Sequence, residues 1–274
     1  MAPAKINLFL LITGRREDGY HLLYTLFQKI SLHDEILLSA ETGKRNVLVE
    51  CPGSSLPHGK ENLVYRAAMA FMDVAGRDMR VRITLHKKIP VGGGLGGGSS
   101  DAASVLAGMN ELSGFPLADA DLYTVACRLG ADVPFFLLKE NAAIGRGTGT
   151  ELKPFSTAHR HFLLVQPEFS VSTRWAYENY VLTTHDEDTI FVAEDADNTE
   201  NWCNDLESVV VGRYPEIEQI KSFLVQAGAE VALMSGSGST VFGAFSARED
   251  AEVAESFFEN KKGLKTFLAE SLSD

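Results

Sequence analysis

Six glycines occupy positions between 92 and 98, a stretch called here the glycine loop, just before a predicted helix. Glycine lets main-chain N–H groups approach a ligand closely, and Ser99 or Ser100 is expected to cap the helix that follows. Unpaired N–H groups and the positive end of the helix dipole would then face the loop. This segment is therefore predicted to bind an anionic group such as phosphate.

Several nucleotide-binding loops are rich in glycine, and other residues distinguish them. A Walker loop needs a lysine at its end, but no lysine follows the glycine loop before Lys139, which excludes that class. Gly92, Gly94 and Gly97 fit G-x-G-x-x-G after a plausible strand, yet almost any glycine run this dense does so, and the match is weak. A flexible linker fits poorly, because an Ala-rich amphipathic helix follows at once.

Lys5 and Asn7 are two polar side chains in an apolar stretch near the start of the chain. The pattern predicts a strand from Ala4 to Ile12, in which Lys5 and Asn7 share one face. An amine among apolar neighbours needs water, a ligand or a carboxylate as its partner. This face therefore suits a polar ligand, and an edge lysine at the start of the chain is the alternative.

Asp132 is a lone carboxylate between a helix stop at Gly130 and the apolar run from Val133 to Phe136. Partial burial there would strengthen its electrostatic interactions. Beside a bound phosphate, such a group could act on the attacking nucleophile. The alternative is an aspartate that caps or closes a turn.

Two further segments carry polar groups that could face a ligand. Tyr20 and His21 follow an Asp18-Gly19 turn and offer a ring for stacking and a hydrogen-bonding tip, although ordinary loop packing would explain them equally well. Residues 235–239 alternate serine and glycine and predict either a second phosphate-facing nest or a hairpin turn.

Composition excludes several classes of function. The net charge of −12 argues against a nucleic-acid partner, and no segment reaches the roughly 18 apolar residues of a membrane span. The three cysteines are widely spaced and form no metal-binding motif, which favours a reducing cytoplasm. The 274 residues predict two domains, with a boundary expected near Lys153-Pro154.

The elements that position these residues also follow from local patterns. Asn62 is expected to cap a helix that ends at Gly76, and strands are predicted over 24–30, 35–40, 46–50 and 81–86. The C-terminal half is predicted to contain strands over 161–166, 231–234 and 240–245, and helices over 216–227 and 249–260.

Three segments occur in the order of the motifs of GHMP-superfamily kinases, namely Pro3 to Leu8, Pro90 to Ala103 and Ser235 to Gly238. The chain resembles this family over nearly its whole length. The long glycine loop and the segment Asp18 to His21 are similar to the branch that phosphorylates a cytidyl-diphosphate sugar alcohol. Residues 129–134 resemble the segment that carries the family's catalytic aspartate.

This resemblance implies an α+β, two-domain GHMP kinase fold. Residues 1–155 would form an N-terminal domain like the second domain of ribosomal protein S5, and residues 156–274 a ferredoxin-like C-terminal domain. The implied cofactors are ATP and Mg²⁺, and the implied partners are ATP and the small-molecule acceptor, without nucleic acid or membrane.

The resemblance also implies residue roles. Lys5 and Asp132 would be catalytic, Asn7 would position the acceptor hydroxyl, and Tyr20, His21 and Tyr177 would hold the cytosine ring. Asn62 would lie beside the adenine. The phosphates would be wrapped by Pro90, Val91, Gly92, Gly93, Gly94, Leu95, Gly96, Gly97, Gly98, Ser99 and Ser100. Another GHMP kinase and a non-catalytic ATP-binding regulatory module are the alternatives.

Overall fold

The computed structural model describes residues 1–182, 195–258 and 261–273. In this part of the chain the strands are β1 Ala2–Arg15, β2 His21–Thr42, β3 Asn46–Glu50, β4 Met79–His86, β5 Ala142–Arg146, β6 Glu151–Phe155, β7 His161–Pro167, β8 Val231–Met234, β9 Val241–Phe245 and β10 Leu264–Glu270. The α helices are α1 Leu63–Ala75, α2 Gly97–Leu112, α3 Asp119–Leu129, α4 Val133–Leu137, α5 Thr173–Asn179, α6 Glu207–Arg213, α7 Glu216–Gln226 and α8 Arg248–Ser256. None of these helices is both long and apolar enough to cross a membrane.

The chain divides into two compact units that are not consecutive halves. The first unit contains residues 1–4, 33–91 and 96–139, and the second contains residues 5–32, 92–95 and 140–274. The division is interleaved because strands β1 and β2 each contribute residues to both units. The domain boundary expected between residues 155 and 156 stays a prediction, and Lys153-Pro154 lies inside strand β6 rather than in a linker.

A small sheet forms the base of the first unit. Residues 35–42 of β2 pair antiparallel with β4, and β3 pairs parallel with β4. The side chains of β4 alternate, so that Met79, Val81, Ile83 and Leu85 are buried. These side chains form a core with apolar residues of α1, α2 and α3. Each fully buried side chain of this size contributes about 1.5–3 kcal/mol.

Helix α1 begins and ends where the sequence predicts. The side chain of Asn62 accepts a hydrogen bond from the Val64 N–H at 3.1 Å, which satisfies one of the unpaired amides of the first turn. Gly76 ends the helix with φ +62°, a left-handed conformation that glycine adopts without steric cost. Both signals act between residues that are close together in the sequence, which is why the sequence alone predicts them.

The second unit contains a four-stranded antiparallel sheet in the order β10-β7-β9-β8. Numbered along this part of the chain, the order is 4-1-3-2, which is the ferredoxin-like arrangement. Apolar residues of α6, α7 and α8 form a core with this sheet and with Leu10 and Ile12 of β1. Elsewhere in the unit, β1 pairs with β2, residues 25–28 of β2 pair with β5, and β5 pairs with β6.

Two sequence predictions about these elements differ from the structure. The strands predicted over 24–30 and 35–40 are one continuous strand, β2, because Ser31 to Asp34 also take extended conformations. The last helix begins at Arg248 and ends at Ser256, and the predicted end at Asn260 lies outside the described residues.

Candidate active site

The loop 235–239, called here the serine loop, joins β8 to β9, so its interpretation as a hairpin turn is confirmed. Gly94 of the glycine loop packs against it: Gly94 has φ +77°, and a Cβ atom there would lie 2.1 Å from the Ser235 carbonyl oxygen. Position 94 therefore requires glycine for both packing and conformation. The Ser235 hydroxyl donates to the Gly94 carbonyl at 3.0 Å.

The first strand joins the same assembly. The Lys5 N–H donates to the carbonyl of Leu95 at 3.0 Å, and a Cβ atom at Gly236 would lie 3.5 Å from the Lys5 Nζ atom. The second unit therefore brings together the start of β1, residues 92–95 and the serine loop. Sequence analysis identified each of these segments separately.

Lys5 and Asn7 share one face of β1, as predicted. The Lys5 ammonium donates to Asn7 Oδ1 at 2.6 Å, and Asn7 Nδ2 donates to the Thr25 hydroxyl at 2.8 Å. Thr25 in turn donates to the Phe9 carbonyl at 2.6 Å. Lys5 is only 4% exposed and lies 5.3 Å from the centre of the Phe27 ring, an attractive cation–π geometry. A buried ammonium held by an amide and an aromatic ring is positioned to act on an anion.

Asn204 holds the serine loop, and sequence analysis missed it. Its Nδ2 donates to the carbonyls of Met234 at 2.7 Å and Gly236 at 2.8 Å. Asn204 itself is nearly buried and forms a parallel bridge with Leu10 of β1. No local pattern around residue 204 signals this role, because its partners lie 30 or more residues away along the chain.

Helix α2, in the first unit, starts earlier than predicted. It begins at Gly97 after Gly96, whose φ is +67°, and among the described residues no side-chain hydrogen bond caps it. The expectation that Ser99 or Ser100 caps this helix is therefore wrong, because both lie in its first turn. The Ser100 N–H donates to the Gly96 carbonyl at 2.9 Å, which begins the hydrogen bonds of the helix. The N–H groups of residues 97 to 99 come before this bond and have no acceptor within the helix. Unpaired amides and a positive dipole end are what an anion binds.

A buried cluster of three charged groups lies near the start of α2. The Lys87 ammonium forms ion pairs with Asp34 and, at 2.8 Å, with Asp101, and all three side chains are at least nine-tenths buried. Asp34 also accepts hydrogen bonds from the N–H groups of Lys88 at 2.6 Å and Ile89 at 2.9 Å. This cluster therefore fixes the segment that leads into the glycine loop.

The cluster holds two carboxylates for one ammonium, and Asp101 is the less satisfied of the two. Burial, together with the charge of Asp34 and against the opposing effect of Lys87, raises the pKa of Asp101 to about 7. Asp101 Oδ1 and the Ser100 hydroxyl are buried and have no hydrogen-bond partner among the described residues. Unsatisfied buried oxygens in the first two turns of α2 are consistent with a ligand that completes the site.

Asp132 lies in the first unit, at the N-cap position of the short helix α4. Among the described residues its side chain forms no capping hydrogen bond to that helix. The alternative interpretation, that Asp132 caps a helix through its side chain, is therefore not supported. The residue is partly exposed. An accessible carboxylate can accept a proton.

The ring cluster predicted to hold a base lies in the second unit. The rings of His21 and Tyr177 have centroids 5.4 Å apart and are tilted by 32°, and Tyr180 approaches His21 edge-on at 6.4 Å. Burial, and to a lesser extent the charge of Arg15, lowers the pKa of His21, so the imidazole is mainly neutral at pH 7. Tyr20 is 67% exposed and its ring is available for stacking.

Asn62, predicted to lie beside the adenine, has a structural function in α1. Besides capping the helix, its Nδ2 donates to the carbonyl of Pro57 at 2.8 Å. The side chain is nearly buried. Its proposed contact with a nucleotide stays a prediction.

Comparison with known proteins identifies the class. The model of the GHMP kinases N terminal domain matches residues 62–140, and that of the GHMP kinases C terminal matches residues 195–263. A homoserine kinase structure from Cytophaga hutchinsonii, with TM-score 0.73 and 18% identity over 99% of this chain and 93% of that chain, shares the fold. The α+β two-domain GHMP kinase fold is thereby confirmed, and GHMP kinases use ATP as phosphate donor.

Full-length relatives define the family more narrowly. A 4-diphosphocytidyl-2-C-methyl-D-erythritol kinase of Syntrophotalea carbinolica is 44% identical over 100% of this chain and 99% of its own, and one of Geobacter sp. strain M21 is 42% identical over 96% and 95%. A crystal structure of 4-(cytidine 5'-diphospho)-2C-methyl-D-erythritol kinase superimposes with TM-score 0.85 at 35% identity, covering 100% of this chain and 98% of that chain. The chain belongs to the 4-diphosphocytidyl-2-C-methyl-D-erythritol kinase family.

Proposed function

We propose that this chain transfers the γ-phosphoryl group of ATP, bound with Mg²⁺, to the 2-hydroxyl of 4-diphosphocytidyl-2-C-methyl-D-erythritol in the non-mevalonate isoprenoid pathway. The observation that carries the proposal is the assembly in the second unit, where residues 92–95 and the serine loop surround the buried Lys5. The names of the full-length relatives support the choice of acceptor. A cytoplasmic location is part of the proposal, since the three free thiols suit reducing conditions.

The phosphates of ATP would be held mainly by backbone groups. The amides of residues 97 to 99 precede the hydrogen-bond pattern of α2, and Gly92, Gly94 and Gly96 hold positive φ that turns the loop around a ligand. In a chain with net charge −12, such local dipoles are the means of attracting a polyanion. Mg²⁺ enters with ATP as part of the substrate and offsets phosphate charge.

The reaction forms a bond between the acceptor oxygen and the γ-phosphorus and breaks the bond from that phosphorus to the β-phosphate oxygen, releasing ADP. Asp132 orients the 2-hydroxyl and accepts its proton. Lys5 binds the attacking oxygen or the moving phosphoryl group, and Asn7 positions the hydroxyl. In phosphoryl transfer the protein acts mostly by positioning reactants and stabilising charge.

The cytosine ring would be held by Tyr20, His21 and Tyr177. The lowered pKa of His21 leaves it a neutral imidazole at pH 7, which can stack and can exchange hydrogen bonds with a neutral base. Asn62 would lie beside the adenine of ATP. These assignments distinguish the proposal from other GHMP kinases, whose acceptors carry no cytosine.

The decisive experiment measures single-turnover phosphoryl transfer with both substrates saturating. Asp132→Asn keeps the size of the side chain but cannot take up a proton, so the rate should fall about 10²–10⁴-fold while both substrates still bind. Lys5→Ala should lower the rate by a similar factor. The double variant should be little slower than either single variant, because the effects of catalytic residues that act together are not additive. Asp121→Asn, which changes an exposed carboxylate on α3, is the matched control.

A panel of acceptors tests the alternatives. Transfer to mevalonate or homoserine in preference to the cytidyl-diphosphate compound would assign the chain to another GHMP kinase activity. Binding of ATP with no transfer to any acceptor would identify a regulatory module. A near wild-type rate in Asp132→Asn would refute the catalytic assignment while leaving the substrate assignment intact.

A further inference from the structure

Two histidines and a glutamate meet in the four-stranded sheet of the second unit. His159 precedes β7, His161 is its first residue, and Glu270 is the last residue of β10, directly opposite His161 in the antiparallel register. Cross-strand neighbours have Cβ atoms about 4.5–5.5 Å apart. The fold itself therefore brings the three side chains together.

The ligand atoms are already close to one another. Glu270 Oε2 lies 3.7 Å from His159 Nε2 and 3.7 Å from His161 Nδ1, and all three atoms lie within 4.8 Å of one another. In a tetrahedral zinc site with bonds of about 2.0–2.1 Å, neighbouring ligand atoms are roughly 3.3 Å apart. Small side-chain rotations of a few tenths of an ångström would bring the two shorter distances to this value.

We propose that His159, His161 and Glu270 bind one divalent transition-metal ion, with Zn²⁺ the best match. Two imidazoles and a carboxylate suit zinc, cobalt or nickel, whereas Mg²⁺ prefers oxygen ligands only. None of these three residues is among those proposed to hold ATP. His159 is about half exposed, which leaves a fourth coordination position open to water.

A basic side chain, Arg248, could compete with a metal ion for Glu270. Arg248 acts on Glu270 at longer range, but its guanidinium is hydrogen-bonded to Glu252 at 2.8 Å. The Glu270 carboxylate is 45% exposed, so it can rotate toward the ion without leaving a buried charge unpaired.

A bound ion would add a side-chain link between β10 and β7, which already pair through their backbones. In the described sheet β10 pairs with β7, and beyond its C-terminal end Ser271 forms a single antiparallel bridge with Ile30 of β2. A ligand that binds the folded state and not the unfolded chain stabilises the fold in proportion to the logarithm of its concentration over Kd. At a hundred times Kd, the Tm should rise by about 5 °C.

The test titrates Zn²⁺ into protein from which any polyhistidine tag has been removed, followed by calorimetry and by Tm. We expect one ion per chain. His161→Ala and Glu270→Gln should each weaken binding at least tenfold and abolish the rise in Tm. His58→Ala, which removes an exposed histidine of the first unit, is the matched control and should bind Zn²⁺ as the wild type does.

Cobalt supplies a second readout that does not depend on stability. Bound Co²⁺ in a tetrahedral or five-coordinate site gives visible absorption bands, which should appear with the wild type and be absent with His161→Ala. If that variant does not fold, the more exposed His159→Ala serves for the same comparison. Stoichiometric binding that survives these substitutions, or no binding by the wild type at 100-fold molar excess of Zn²⁺, would overturn the proposal.

Discussion

Gly98 of α2 offers the most selective test of phosphate binding at the helix start. Apart from Gly98, its chain neighbours and the backbone of its own helix, no atom of the described residues lies within 4 Å of a Cβ atom built at this position, and the residue does not have a positive φ that would exclude alanine. Gly98→Ala therefore adds a methyl group into space that the protein leaves open. Gly94 would be a poor choice, since its Cβ atom would collide with the Ser235 carbonyl.

The expected magnitude follows from helix geometry. Alanine in place of glycine stabilises a helix by up to about 1 kcal/mol, so the free variant should be at least as stable as the wild type. The Cβ atom of a helical residue tilts toward the helix N-terminus, the side from which a phosphate approaches the amides. Loss of one charge-assisted hydrogen bond costs about 1.5–3 kcal/mol, which corresponds to roughly a 10- to 150-fold increase in Kd.

Calorimetric titration with a non-hydrolysable ATP analogue measures this effect, and thermal unfolding without nucleotide measures stability. Gly212→Ala in α6 is the control, because a Cβ atom there also meets nothing within 4 Å. It should gain stability in the same way and keep wild-type affinity. A folded Gly98→Ala variant with unchanged affinity would refute phosphate binding at the start of α2.

Three further predictions address other parts of the site. His21→Ala and Tyr177→Ala should each lower kcat/KM for the cytidyl-diphosphate substrate about tenfold or more with ATP affinity unchanged, since stacking on a base is worth about 1–3 kcal/mol; equal losses for both substrates would argue against base stacking. Because the pKa of Asp101 is about 7 in the folded protein and near 3.8 unfolded, the native state retains a proton that the unfolded chain loses, and stability should fall by at most about 4 kcal/mol as pH rises from 4 to 7. Urea unfolding at pH 5 and pH 8 measures this effect, and the free energy of unfolding should fall less between the two pH values in Asp101→Asn than in the wild type. An equal fall in the variant would contradict the assignment. Asn62→Ala should cost about 1 kcal/mol and lower the Tm by about 2 °C for loss of the helix cap, so a wild-type Tm in a thermal scan would exclude that function.

Local signals account for most of what the sequence predicts correctly. Asn62 and Gly76 delimit α1, and the alternation of β4 identifies its buried face, because caps and side-chain periodicity act between residues a few positions apart. The hydrogen bond from Lys5 to Asn7 follows from the same two-residue period in β1. These features need no knowledge of the tertiary structure.

Features that depend on distant parts of the chain could not be predicted. The cluster of Asp34, Lys87 and Asp101 joins residues 53 and 14 positions apart, and each looks like an ordinary surface charge in its own segment. The glycine at position 94 was expected to make room for a ligand. In the structure it makes room for the Ser235 carbonyl, which would collide with any side chain there. A local rule for caps also placed the start of α2 too late, at the serines.

The interleaved division of the chain sets an order of folding during synthesis. Most of the first unit lies in residues 33–139 and can assemble once these have left the ribosome. Residues 5–32 belong to the second unit, and residues 25–28 among them pair with β5, which begins at Ala142. At about 5–20 residues per second, synthesis of residues 140–274 takes roughly 7–27 s. Until β7 and α7 have been made, Leu10 and Ile12 of β1 lack the apolar partners that they have in the core of the second unit. Strand β1 is thus made before the elements that bury it, which makes it a segment where a nascent-chain chaperone would be needed.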